Sequence, residues 1–479
     1  MFRTSLLGIG LSLAFSANLY AQQPRLPNII FVIADDLGYG ELSCQNGDTD
    51  IPTPNIDTIA SNGVRFTDGY VSAPFCAASR AGLITGRYQT RFGFEFNPIG
   101  AGNEGLGTGL PVSETTLPDV LRDRAGYSTA MIGKWHLGGT APFNPIRRGF
   151  DQFFGFLHEG HYYVPSPWKN HTTWLRRKSL PGGKNGQWTS RDGSLIFSTH
   201  MGSNEPDYNA DNPILRNGQP VDEKANLTEA FTREAISFIR RCGKERPFFL
   251  YLAYNALHSP LQGADPYMKK YESIDDVQRR IFAAMLGQLD DAVGKVLNTV
   301  KTTGLWENTL IVFLSDNGGP TRELSSSNLP LRGEKGGLFE GGIRVPFMMQ
   351  WPGKIDAGSE FTKPVISLDL FDTCLGLAGV ESTTITDGVD LMPFLQAGDS
   401  EVIPHDQLFW RVGNKSALRK GDWKLVRQKG RGATGEWELY NLNDDISEMN
   451  NLADEKRDLL DTLIEEWEDR NREMIDPIF

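Results

Sequence analysis

The sequence predicts an α/β protein: a large mixed, mostly parallel sheet sandwiched by helices, followed by a smaller C-terminal α+β domain. Three observations carry that expectation. Short apolar runs rich in β-branched residues recur along the chain, helical stretches separate them, and each run stops on polar or charged residues. Runs that are apolar throughout mark strands buried on both faces, as in a parallel sheet covered by crossover helices. From about residue 381 the alternation gives way to short strand-like pieces and an acidic helix.

The elements follow in order. The chain opens with Arg3, an apolar run from Leu6 to Phe15, then small residues up to Ala21. This reads as a secretory signal peptide over 1–21, because a membrane-spanning helix needs ~18 apolar residues or more. No later run reaches that length, so the expected product is exported, periplasmic or extracellular, with no membrane span. "NIIFVIADD" gives a strand over 29–34 that ends on Asp35 and Asp36. "TLPDVLRDRAGYSTAMIGKWHLG" gives a helix, a glycine break and a strand over 128–132, then Lys134 and His136. Residues 160–226, rich in Trp, Gly and basic residues, read as a surface insertion within a main domain spanning 24–380. "RPFFLYLAYNALHSP" is a strand that stops short of His258. "DDVQRRIFAAMLGQLDDAVGKVLNTVKTTG" has the apolar spacing of a long amphipathic helix, and "TLIVFLSDNGG" is a strand ending on Asp316 and Asn317. "SALRKGDWKLVRQ", "GEWELYNLNDD" and the helix "EKRDLLDTLIEEWEDRNREM" make up the C-terminal unit, 381–479. In open parallel sheets ligands bind beyond the carboxyl ends of the strands. The polar clusters just named all fall there, so groups scattered over about 300 residues can converge on one site.

Composition narrows the function. With 479 residues, 39% hydrophobic and 23% charged, the chain has an ordinary globular balance. A formal net charge of −12 argues against a general nucleic-acid binder, which needs a surplus of Lys and Arg to neutralise phosphates. Cys44, Cys76, Cys242 and Cys374 are spaced too widely and irregularly for a disulfide framework, and setting Cys76 aside leaves at least one of them unpaired.

Asp35, Asp36, Asp316 and Asn317 are four oxygen donors at two strand ends, a set that suits a hard divalent cation. Each pair alone is also good turn sequence; together they point to metal. Lys134 and His136 share a face if the segment is extended, and His258 supplies a second imidazole. Lys335 sits in the glycine-rich "RGEKGGLFEGG", where backbone can come close to a ligand. Lys134, Lys335 and Arg80 near a metal describe a pocket for a tetrahedral oxyanion.

The remaining stretch is "VSAPFCAASRAGLITGR", 71–87. Its Cys76, Ala78, Arg80 and the tail Thr85, Gly86, Arg87 resemble the activation motif of the type I sulfatases, where many members carry Pro at the position of Ala78. The Asp pair after the first strand, "GKWHLG", the His before a Pro, "SDNGG" and "GEKGGLFEGGIRVP" follow in that family's order across nearly the whole chain. The resemblance implies the alkaline-phosphatase-like fold of secreted bacterial polysaccharide sulfatases and arylsulfatases. It also implies that a maturation enzyme oxidises Cys76 to Cα-formylglycine (3-oxoalanine), and that Asp35, Asp36, Asp316 and Asn317 hold Ca²⁺ rather than Mg²⁺.

In that family the aldehyde hydrate attacks sulfur, with Arg80 and the metal making its hydroxyl acidic. Lys134 and Lys335 then stabilise the sulfuryl oxygens, His258 or Lys335 protonates the leaving oxygen, and His136 takes the proton that lets sulfate depart. The implied substrate is a sulfated carbohydrate. Trp168, Trp174 and Trp188, among the basic residues of 160–226, are candidates to stack on sugar, and His161 is a candidate substrate contact. Two other readings are a phosphonate or phosphate ester hydrolase of the same superfamily and a catalytically silent glycan-binding relative.

Overall fold

Seven residues, Asn28–Ala34, form strand β1, and their alternation divides the interior in two. Ile29, Phe31 and Ile33 enter one apolar cluster; Ile30, Val32 and Ala34 enter the other, on the opposite face of the sheet. Each of the Ile, Val and Phe side chains contributes about 1.5–3 kcal/mol by leaving water. The computed structural model describes residues 25–46, 49–397, 402–430 and 433–479. The leader expected over 1–21 therefore lies outside the described residues.

The other strands of this sheet are β2 (Val64–Phe66), β3 (Ser128–Lys134), β4 (Gln152–Phe156), β5 (Leu215–Arg216), β6 (Gln219–Pro220), β7 (Phe248–Ala253), β8 (Thr309–Ser315), β9 (Phe347–Gln350) and β10 (Ser359–Phe361). The ten strands lie in the order β6-β5-β4-β3-β7-β1-β8-β9-β2-β10. From β4 to β8 every neighbouring pair is parallel. Antiparallel pairs flank this centre at β4–β5 and β8–β9. The sheet is thus mixed, with its parallel part where the site lies.

Helices cover both faces. On one lie α3 (Leu227–Cys242) and α4 (Val277–Thr302); on the other lie α1 (Cys76–Thr85), α2 (Leu117–Ala125) and α5 (Asp369–Ala378). α4 starts where the Asp276 carboxylate accepts the N–H of Arg279, and buries Ile281, Leu289, Val293, Val296 and Val300. α2 opens on a capping box of Thr116 and Asp119 and closes on Gly126 at φ 71°. β3 runs two residues beyond its expected end at 132. Gly133 permits this: at φ 112° it passes so close to β7 that a Cβ would stand 1.8 Å from the Ala253 carbonyl oxygen.

Residues 160–226 are more structured than a surface excursion. Strands His171–Arg176, Gln187–Thr189 and Leu195–Ser198 join Leu261–Ala264 in a second, four-stranded sheet, while β5 and β6 extend the edge of the first. At the C-terminus β11 (Gln407–Val412), β12 (Lys415–Lys420), β13 (Trp423–Gly430) and β14 (Ala433–Asn441) form an antiparallel sheet against which α6 (Arg457–Asn471) packs. This third core takes in Tyr70, Tyr88, Leu338 and Phe339, so the small sheet is seated on the large domain. Cys44, Cys76, Cys242 and Cys374 are all unpaired. Among the described residues no helix is long and apolar enough to cross a membrane.

Candidate active site

β1 and β8 run side by side with Ala34 opposite Ser315, so the residues that follow them meet. Asp36 turns at φ 64°, a conformation a short polar side chain tolerates, and its N–H donates to Asp316 Oδ1 at 3.3 Å. Cys76 is the first residue of α1, and Arg80, one turn on, shares its face. Both are fully buried. The Arg80 guanidinium donates to Asp316 Oδ2 from Nε at 2.9 Å and from Nη2 at 2.7 Å, and from Nη1 to the Lys134 carbonyl at 2.7 Å. Lys134, at the end of β3, places Nζ 2.6 Å from Asp35 Oδ2. Cys76 Sγ lies 3.5 Å from Asp35 Oδ1. Lys335 reaches Asp36 with Nζ at 2.7 and 2.8 Å from its two oxygens.

Asp35, Asp36, Asp316 and Cys76 thus offer ligand atoms all within 4.8 Å of one another. Asn317 donates from Nδ2 to Asp36 Oδ1 at 2.8 Å, while its Oδ1 is buried and accepts no hydrogen bond among the described residues. Three carboxylates plus an amide oxygen that is not otherwise engaged are the donors a hard divalent cation takes, and these residues fit one. Burial and the neighbouring Asp316 and Asp36 push Asp35 up to about 7, with Lys134 opposing them. Burial works the same way on Asp36, but Lys335, His258 and Lys134 outweigh it and hold that carboxyl at about 2. Burial pushes the Cys76 thiol far up despite Lys134 and Lys335, so a thiolate nucleophile is disfavoured.

The two imidazoles are fixed by backbone. His258 Nδ1 donates to the Ser259 carbonyl at 2.7 Å and its Nε2 is 3.9 Å from Asp36 Oδ2. His136 does not continue β3: it turns at φ 59°, and Nε2 meets the Pro98 carbonyl at 2.9 Å, leaving Nδ1 buried without a partner. Burial and the Lys134 ammonium hold both rings well below the ordinary histidine range, so each is neutral and has one nitrogen able to accept a proton.

A cleft of about 490 Å³ opens above this cluster, with His258 and Lys335 in its wall. His161 does not line it: its ring packs on Phe156 and its Nδ1 meets the Tyr162 carbonyl at 2.7 Å. The three tryptophans do not line it either. Trp174 is buried in the core, Trp188 stacks on Phe197 and Trp168 on Tyr162. The insertion contributes Arg176, Met201, Asn204 and Tyr208 instead. Of these only Arg176 stood out in the sequence, as one of several basic residues; Glu323 and Glu159, also in the wall, carried no signal there.

Residues 27–380 match the family model "Sulfatase", and residues 334–473 match "N-sulphoglucosamine sulphohydrolase, C-terminal". The chain belongs to the sulfatase family. Human N-acetylgalactosamine-6-sulfatase is 34% identical over 387 residues, which cover 78% of this chain and 67% of that protein. The crystal structure of Ps i-CgsB in complex with k-i-k-neocarrahexaose superimposes with a TM-score of 0.81 at 34% identity over 95% of both chains. The PsFucS1 sulfatase from Pseudoalteromonas sp. does so with a TM-score of 0.73 at 26% identity, over 96% of this chain and 93% of that one. The fold is that of the alkaline-phosphatase-like superfamily, and the chain is a sulfuric ester hydrolase.

Proposed function

We propose that this sulfatase is exported and hydrolyses sulfate esters of a sulfated carbohydrate, using Cα-formylglycine made from Cys76 by a maturation enzyme and Ca²⁺ held by Asp35, Asp36, Asp316 and Asn317. The observation that carries this reading is the cluster itself: Cys76 Sγ and three carboxylates within 4.8 Å, with Arg80, Lys134 and Lys335 hydrogen-bonded to those carboxylates. The carbohydrate is supported by what relatives are named for or bind, N-acetylgalactosamine-6-sulfatase and the k-i-k-neocarrahexaose complex. Export is supported by the N-terminal pattern of Arg3, an apolar run and Ala21. The catalytic unit is 24–380 with its insertion at 160–226, and 381–479 is the C-terminal unit.

Formylglycine would supply a hydrated aldehyde at position 76, and the cation a fixed positive charge beside it. The chain's own residues do the rest. Lys335, in the cleft wall and held in its charged form by Asp36 despite burial, binds a sulfuryl oxygen. Lys134 and Arg80 hold Asp35 and Asp316 in place and add positive charge to the site. His258 and Lys335 both border the cleft and are the candidates to protonate the departing alkoxide; the Lys335 ammonium already carries the proton this needs. His136 Nδ1, buried and unpartnered, accepts the proton of a hydroxyl at position 76. Burial of Cys76 and Arg80 keeps bulk water from the reacting atoms.

The phosphate and phosphonate reading is separated by comparing sulfate and phosphate monoesters of one phenol. The sulfate ester is expected to have the higher kcat/KM; a higher value for the phosphate ester would overturn the proposal.

A further inference from the structure

Away from the sulfate-binding end, the cleft wall holds a second set of charged groups that the reaction does not use. Arg176 closes the strand His171–Arg176, and two carboxylates share its guanidinium: Glu205, at 2.9 Å from Nη2 and 3.1 Å from Nε, and Glu323, at 2.7 Å from Nη1. Ser259 Oγ donates to Glu323 Oε1 at 2.8 Å, and the Tyr208 hydroxyl donates to Glu205 Oε1 at 3.0 Å while its ring packs edge-on to His258. Arg322 is matched in the same way by Glu334, Nε to Oε1 at 2.7 Å.

The cleft is therefore lined by three cations, Arg176, Arg322 and Lys335, and three carboxylates, Glu159, Glu323 and Glu334. Both guanidiniums of the wall are already neutralised, and the cation beside the ester, Lys335, stands on Asp36. A second sulfate or a uronate on the bound sugar would meet Glu159, Glu323 and Glu334 without a surplus cation to offset them, and like charges brought together cost several kcal/mol. A hydroxyl suits the same wall, because it can donate to Glu323 and accept from Arg176 at once.

We infer that Arg176 and Glu323 are specificity-determining residues that bind hydroxyls of a neutral sugar ring. The cleft accordingly selects a sugar on which the scissile sulfate is the sole nearby anion. This rests on the sulfatase reading above. The test uses the matured protein, an aryl sulfate, and paired hexose or N-acetylhexosamine disaccharides with the scissile sulfate alone or with a second sulfate on the same ring.

The best monosulfated sugar is expected to exceed its disulfated counterpart in kcat/KM by at least about tenfold, and Glu323→Gln to narrow that ratio mainly through KM. Glu334→Gln serves the same purpose if Glu323→Gln does not fold. A disulfated sugar turned over as well as or better than its counterpart would overturn the inference, and so would a ratio these variants leave unmoved. Hydrolysis of the aryl sulfate with no turnover of any monosulfated neutral sugar would also overturn it. No hydrolysis of the aryl sulfate either would bring down the sulfatase reading, and the inference with it.

Discussion

Lys134 is fully buried, with its ammonium 2.6 Å from Asp35. It opposes, without overcoming, the burial that pushes that carboxyl up to about 7. Lys134→Met keeps the length of the side chain and removes the charge, so Asp35 becomes easier to protonate and the oxygen donors lose one negative member. Turnover is expected to fall by about 10²-fold or more, as on loss of a preorganised charge at a reacting centre. Calcium titration of the apo-protein by calorimetry should show weaker binding that recovers as pH rises. Unchanged affinity with unchanged kcat would show that Lys134 serves packing alone. The grouping of these residues was legible in part from sequence. Asp35, Asp36, Asp316, Asn317, Cys76 and the two lysines could be gathered from strand ends and motif order, because that information is local. The turn at His136 and the unpartnered Asn317 Oδ1 could not, since the first is fixed by the distant Pro98 carbonyl and the second by the Asp36 carboxylate that engages the other end of the amide.

At the scale of elements, the loop that carries Lys335 is held from outside the large domain. Gln428 on β13 accepts the Leu338 N–H at 2.8 Å, Lys415 on β12 donates to the Gly336 carbonyl, and Glu448 accepts the Glu340 N–H at 2.7 Å. Gln428→Leu removes one of these ties without opening the core. It is expected to lower kcat about tenfold through misplacement of Lys335, with a small shift in melting temperature and partial rescue by Gln428→Glu. A large loss of stability with normal kcat would contradict a positioning role.

The same junction buries Lys424 between Glu340, at 2.6 Å, and Glu448, at 3.5 Å. One lysine cannot keep both acids ionised. Burial and the neighbouring Glu340 carboxylate raise Glu448 to about 8, while Lys424 and two arginines, against the effect of burial, hold Glu340 at about 2. Glu448 therefore binds its proton more tightly folded than unfolded. Its contribution to stability is complete below pH 4.5 and is lost as pH rises through about 8. Glu448→Gln should make unfolding free energy fall less between pH 5 and pH 8, by about 1 kcal/mol or more, in urea titrations across that range. Parallel pH profiles for variant and parent would refute the assignment.

Across the whole molecule, two apolar clusters sandwich the ten-stranded sheet and a third joins the C-terminal sheet to it. The sheet and its helices were legible because β1, β7 and β8 carry near-continuous apolar runs and α4 keeps a helical stripe. The insertion was not. Its short strands His171–Arg176 and Leu195–Ser198 alternate weakly and find their partner in Leu261–Ala264, far along the chain, so tertiary pairing rather than local pattern decides them. Its tryptophans read as sugar platforms, yet Trp174 is taken by the core. Sequence composition alone does not tell a stacking surface from a packing one.

We propose that a converted Cys76, held beside three carboxylates by α1, is what hydrolyses the ester. The most direct measurement relates sulfate release to the converted fraction of Cys76, read by mass spectrometry of its peptide, in preparations made with and without the maturation enzyme. Turnover is expected to be proportional to the aldehyde fraction and absent in Cys76→Ala despite a native fold. Equal turnover by the unconverted thiol protein, or by Cys76→Ala, would contradict it.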